Sequence, residues 1–195
     1  MKYGKKLFII ELKYEDYLIL SVLALGVVST FFSNKGMLNA ALAALFASTL
    51  MYFIASTYAR RAGGGNAQGF TRALNSFVSG LVFLVAPCIF FYHWGYNGLS
   101  HSFFLLVFML CGIFRISAFN YFGSRKDAHK YYYVGLPVFW SPAVVLVFFA
   151  AEKFTGTGLA YPLLSVVITV FSALMLINMD MKYVHKPMSW VKRGK

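Results

Sequence analysis

Acidic side chains are scarce in this sequence: six Asp and Glu stand against eighteen Lys and Arg in 195 residues. Charge of both signs amounts to 12% of the chain, about half the share an ordinary soluble domain carries. The charges sit in clumps with long uncharged stretches between, so they cannot coat a soluble globule. Two cysteines, Cys88 and Cys111, exclude a disulfide scaffold and read as packing residues. No internal repeat or linker divides the chain. Its single low-complexity patch, Gly63-Gly64-Gly65, lacks the following helix-start lysine of a nucleotide loop and reads as a hinge. The basic start Met1–Lys6 precedes only a short apolar run, Leu7–Leu12, broken by Glu11, which does not fit a cleavable signal.

What fills the chain instead is apolar surface. Hydrophobic residues make up 59% and aromatics 19%, which excludes disorder. Five stretches of sixteen or more residues carry no charge: Tyr17–Asn34, Gly36–Ala59, Ala73–Phe114, Tyr131–Ala151 and Phe154–Met179. One membrane span needs roughly 20 mostly apolar residues, so the long third stretch holds two, with a turn at His93, Trp94, Gly95, Asn97 and Gly98. The expectation is an all-α polytopic membrane protein, one domain over 1–195. Its six spans lie at about 16–33, 37–58, 73–93, 99–119, 135–151 and 159–179. A closed barrel would need alternating polar and apolar residues, and Ala40–Phe46 and Val144–Ala150 show none. Before the first span, Leu7, Ile9, Ile10 and Tyr14 alternate with Lys13, Glu15 and Asp16, as in a short interfacial helix.

Charge placement sets the expected orientation. With six spans, sixteen of the eighteen cations fall on one side, and only Lys35 and Lys153 on the other. The positive-inside rule then puts both termini in the cytoplasm, or on the matrix side of a mitochondrial membrane. The membranes expected are therefore the bacterial inner membrane or the mitochondrial inner membrane. The net charge of +12 meets anionic phospholipid at span ends; a nucleic-acid partner is not expected.

Specific information sits in two regions on the basic side. One runs from Tyr52 through Ser79. The other is Cys111-Gly-Ile-Phe-Arg-Ile-Ser-Ala-Phe-Asn-Tyr-Phe122 followed by Val134-Gly-Leu-Pro-Val-Phe-Trp-Ser-Pro142. Arg115 can snorkel to the interface or hold a phosphate through paired hydrogen bonds. Gly135-Leu136-Pro137 reads as the opening of span five, with proline in the first turn.

With these motifs the chain resembles the CDP-alcohol phosphatidyltransferase family, in its phosphatidylserine synthase branch. Gly112, Arg115, Ile116, Phe119 and Asn120 match that branch's G-x-x-R-[LI]-x-R-F-N. Gly135, Leu136 and Pro137 match its G-L-P, and Trp140 is similar to a feature of phosphatidylcholine synthases. The resemblance covers roughly residues 10–185 and implies six spans, inward termini and an interfacial N-terminal helix. It also implies attack of an alcohol hydroxyl on the β-phosphorus of a CDP-linked lipid, with CMP leaving.

The family signature D-x-x-D-G-x-x-A-R…G-x-x-x-D-x-x-x-D is degenerate here. Ala59-Arg60 keeps the A-R pair. The aspartate positions then fall on Tyr52 and Ala55, and the glycine on Ser56. Downstream, the glycine falls on Thr71 and the later aspartates on Asn75 and Ser79, across a gap two residues longer than the family's. All four carboxylates are missing. Divalent ions that neutralise a pyrophosphate want carboxylate oxygens, and the attacking hydroxyl needs a base. Asn75 and Ser79 share a helix face but supply neither. Of the six acids, none has the paired helical spacing of a metal site. Glu152 is on the opposite side, Asp16 precedes span one, and His93 and His101 are on the opposite face from His129 and His185.

The leading expectation is a catalytically inactive relative with no catalytic residues, metal or cofactor. It would act as a structural or lipid-binding subunit beside other membrane proteins or a dimer partner. Arg60, Arg61, Arg72 and Arg115 are the candidate lipid-phosphate ligands, with plain interfacial anchoring an equal reading. The alternative is an active CDP-diacylglycerol-dependent transferase using Mg or Mn. A transporter or channel ranks last, because the spans are nearly free of ionisable groups.

Overall fold

The computed structural model describes residues 12–61, 68–122, 125–127, 130–177 and 180–182. Helix α1 spans Tyr14–Asn34 and α2 spans Leu38–Arg61. Then α3 (Gln68–Gly80), a π-helical turn (Leu81–Val85) and α4 (Ala86–His93) run on as one rod. Helix α5 is Leu99–Phe122, α6 is Ser141–Thr155 and α7 is Thr157–Leu176. Five of these rods are long and apolar enough to cross a membrane. The class is that of a helical membrane protein.

Small residues let α1 approach its neighbours closely: a Cβ on Gly26 would stand 2.5 Å from the Val82 side chain of the π turn. On α1, Val22, Gly26, Ser29 and Ser33 are buried at steps of three and four, one stripe along a helix. The Ser29 hydroxyl crosses to α2 and donates to the carbonyl of Ala41 at 2.7 Å. Such small-residue stripes are how membrane helices gain contact without a hydrophobic drive between them.

The rod from α3 to α4 is the axis of the bundle: 56% of its spanning window is buried, against 28–33% for the other four. Its π turn has a local cause. Pro87 has no N–H and its ring collides with a carbonyl one α-turn earlier. The chain answers by letting the Ala86 N–H reach back five residues to the Leu81 carbonyl, the signature of a π bulge. Val82, Phe83 and Leu84 of this turn are all buried. A Cβ on Gly112 of α5 would overlap the Leu84 methyls, so α5 lies against the π turn only because Gly112 is bare.

Polar bonds mark the two ends of the bundle. At the end where α1 begins, Asp16 bonds Thr71 of α3, Ser76 bonds Asn120 of α5, and the Leu136 N–H bonds the Leu174 carbonyl of α7. We call this the near end. At the far end, Trp94 bonds Glu152 of α6, and Tyr96 bonds Ser165 of α7.

Span five differs from its expected position at 135–151. Gly135 is left-handed (φ 80°) and Pro137 extended (ψ 141°), so both precede any helix. A 3-10 turn, Val138–Trp140, follows, and α6 starts only at Ser141, with Pro142 rather than Pro137 in its first turn. At fifteen residues, α6 covers roughly 22 Å by helical rise, short of a ~30 Å apolar core.

A small sheet is added to the helices. Strands β1 (Arg125–Asp127), β2 (Lys130–Val134) and β3 (Asp180–Lys182) pair antiparallel in the order β1-β2-β3. It ties the connection after α5 to the segment after α7, with Tyr132 opposite Lys182. The expected hinge at Gly63–Gly65 and His129 and His185 lie outside the described residues. So do residues 1–11, which carry most of the expected interfacial helix.

Candidate functional site

The positions of the degenerate signature fall on α2 and α3. Tyr52 and Ala55 are three apart on α2, and Ser79 precedes Phe83 by one turn on the central rod. Where the first aspartate of the resembled family would stand, the Tyr52 ring meets Phe83 edge-on, centroids 4.9 Å apart. Phe139, from the 3-10 turn, lies 6.0 Å from Tyr52 and 5.6 Å from Phe53. Three separate elements thus pour aromatic rings into one place. Ala55 keeps 2% of its surface exposed and Ser79 keeps 4%. Ser56 turns back to its own helix, donating to the Phe53 carbonyl at 3.0 Å. Edge-to-face rings of this kind are a tightly packed apolar arrangement.

Thr71 and Asn75 sit on α3. The Thr71 hydroxyl donates to Oδ1 of Asp16 at 2.7 Å, while Oδ2 of the same carboxylate accepts the Lys13 backbone N–H at 3.0 Å. Asp16, with 1% exposure, is therefore part of the site region and not a residue lying ahead of the bundle. Its charge also suits the first turn of α1, where unpaired N–H groups favour an anion. Asn75 is half-buried; its neighbour Ser76 donates to Oδ1 of Asn120 at 2.9 Å. This bond brings the signature region of α3 against the Arg115–Asn120 motif of α5.

Arg115 is buried, and its Nη2 donates to the Gly135 carbonyl at 3.2 Å. Its guanidinium carbon lies 5.8 Å from the Phe119 ring centroid, a cation–π distance. Gly135 has no room for a side chain: a Cβ would stand 2.9 Å from the Met175 carbonyl oxygen and 3.0 Å from that of Ile177. Arg115 therefore fastens the Gly135-Leu136-Pro137 loop to α5, while the Leu136 N–H, donating to the Leu174 carbonyl at 3.0 Å, ties it to the end of α7. Arg72 is half-buried on α3. Arg60 and Arg61 close α2, and their side chains lie outside the description. At the start of α6 the Ser141 hydroxyl is buried without a hydrogen-bond partner among the described residues.

A second polar group, at the far end, was not expected. Trp94 Nε1 donates to Glu152 Oε1 at 2.8 Å, and the Tyr161 hydroxyl donates to the Trp94 carbonyl at 3.3 Å. Tyr96 is stacked on His101 with centroids 4.2 Å apart and shares a short hydrogen bond with Ser165. Burial pushes the Tyr96 phenol above its ordinary range, partly offset by the Ser165 bond. The opposite-face histidine His101 and Glu152 thus belong to a rim that joins α4, α5, α6 and α7.

Compared with known proteins, the chain matches no family model, no curated protein and no solved structure.

Proposed function

We propose that this chain is a catalytically inactive, phosphatidyltransferase-like membrane protein that serves as a structural or lipid-binding subunit of a larger membrane complex. One observation carries the reading. The Tyr52, Phe83 and Phe139 rings are packed together where the resembled chemistry needs oxygen ligands. Aromatic carbon offers a dication no coordination, and the neighbouring Ala55 and Ser79 offer neither negative charge nor a base. Asp16 is the acid nearest in sequence to this region, and both of its oxygens bond Thr71 and the Lys13 amide.

The near end is the basic end of the six-span reading, with both termini on the cytoplasmic or matrix side. In that reading α6, extended by its 3-10 turn, crosses as the short fifth span, and Arg60, Arg61, Arg72 and Arg115 meet anionic lipid there. Arg115 combines that location with its bond to Gly135.

The test is CMP release from CDP-diacylglycerol with serine and Mn, paired with mass spectrometry of the particle extracted in mild detergent. No CMP above the protein-free rate, together with stoichiometric partner chains, supports the reading. Sustained CMP release by the unaltered chain overturns it.

A further inference from the structure

The central rod has a second surface, on a different face from Ser79 and Phe83. A groove of about 330 Å³ runs there between α3, the π turn and α5. Phe77, Leu81 and Leu84 form one wall, with Met109 and Ile113 opposite. Its polar atoms gather at the near end, where Ser76 and Ser117 line it and Ser76 bonds Asn120. Phe77 is 61% and Ile113 50% exposed, so the groove opens sideways, toward bilayer in a membrane-spanning bundle. Gly80 lines it, and a Cβ there would find nothing closer than the Ile116 methyl at 3.9 Å, so only a larger side chain fills the space.

We infer that this groove seats one acyl chain of an anionic glycerophospholipid, its headgroup at the Ser76–Ser117 end. Length, lining and charge agree on that occupant. From Ser76 to Val85 the rod rises roughly 14 Å, close to the ~15 Å depth of one leaflet in a ~30 Å core. The walls are hydrocarbon and the mouth is hydroxyl and amide, the order of groups along a lipid from tail to headgroup. Sixteen of the chain's eighteen cations fall on the near-end side of the six-span reading, and each is worth about 1 kcal/mol toward an anionic headgroup near the surface. Arg72 lies one turn before Ser76 on α3. The inference deepens the lipid-binding part of the proposed function and rests on that reading for membrane insertion and for the basic side of the bundle; the Tyr52, Phe83 and Phe139 rings play no part in it.

The experiment uses the full chain in phosphatidylcholine vesicles carrying either phosphatidylglycerol or phosphatidylcholine with a diazirine in one acyl chain. After illumination, adducts are mapped by peptide mass spectrometry. Adducts should concentrate on 77–85 and 109–117, with the phosphatidylglycerol probe about fivefold ahead. Gly80→Leu fills the groove and should lower them about fivefold, while adducts at the exposed α7 residues Val166 and Val170 stay constant. Gly80→Ala, which has room, should label like the parent and unfold no earlier. The inference is overturned by equal labelling from the two probes, or by groove adducts no denser than those on α7. It is equally overturned by Phe77→Cys forming a disulfide between two copies at full yield, which would show a second copy over the groove. CMP release, measured in the same vesicles, reports separately on the inactive-enzyme reading.

Discussion

Putting a carboxylate back at position 55 separates a packed core from a vacated metal site. Ala55 is 2% exposed and stands one turn from Tyr52, whose ring packs on Phe83 and Phe139. An unpaired charge buried there costs on the order of 3–5 kcal/mol. For a chain of this size each kcal/mol moves the midpoint by roughly 2–4 °C, so Ala55→Asp should unfold roughly 6–20 °C lower in detergent. Ala55→Ser is the control. Its hydroxyl can bond the carbonyl one turn back, as Thr57 does to Phe53, for a cost below about 1 kcal/mol. The assay is thermal unfolding from pH 5 to 8 with and without Mn. A midpoint restored by Mn in Ala55→Asp, or in the Ala55→Asp/Asn75→Asp/Ser79→Asp triple variant, would refute the packing argument. CMP release from that triple variant would do the same.

Four further outcomes are expected. Asp16→Ala strands the Lys13 amide and the Thr71 hydroxyl, at about 1–3 kcal/mol. Thr71→Val should cost less, and a double-mutant cycle by chemical unfolding should return a coupling above about 0.5 kcal/mol. Gly112→Val drives a side chain into Leu84 and should cost about 1–3 kcal/mol, read as a lower thermal midpoint. Gly135→Ala faces both a left-handed backbone and the Met175 carbonyl, so it should destabilise by more than about 1 kcal/mol; unchanged unfolding would count against the loop's description. Tyr96 should ionise above free tyrosine. Stability is then lost above about pH 10, where the unfolded phenol ionises first, and Tyr96→Phe should flatten that alkaline loss in a pH series of unfolding curves.

The helices were legible because uncharged runs of span length have few other uses. Expected spans 16–33 and 99–119 meet α1 at Tyr14–Asn34 and α5 at Leu99–Phe122, displaced only at their ends. Span five was misplaced because 135–151 is apolar throughout, and apolarity says nothing about backbone angle. Gly135 and Pro137 form a loop and not the opening of a helix. Within the site, the loss of carboxylates at Ala55, Asn75 and Ser79 is plain from residue identity. What replaces them is not, since Phe139 reaches Tyr52 from 87 residues away along the chain. The Asp16–Thr71 and Trp94–Glu152 bonds span 55 and 58 residues. The available signal was rarity: among so few acids, one at the start of a span and one at the end of another had to find partners or water.

The π turn beside Pro87 has a consequence for how this sequence tolerates length changes. It is in effect one surplus residue held in the middle of a rod. Removing a single position among Leu81–Val85 returns the segment to ordinary helical pitch but turns everything beyond it by roughly 100°. Cys88, Phe90 and Phe91, now inward, would swing off the core, and the Trp94 rim would lose its register with Glu152.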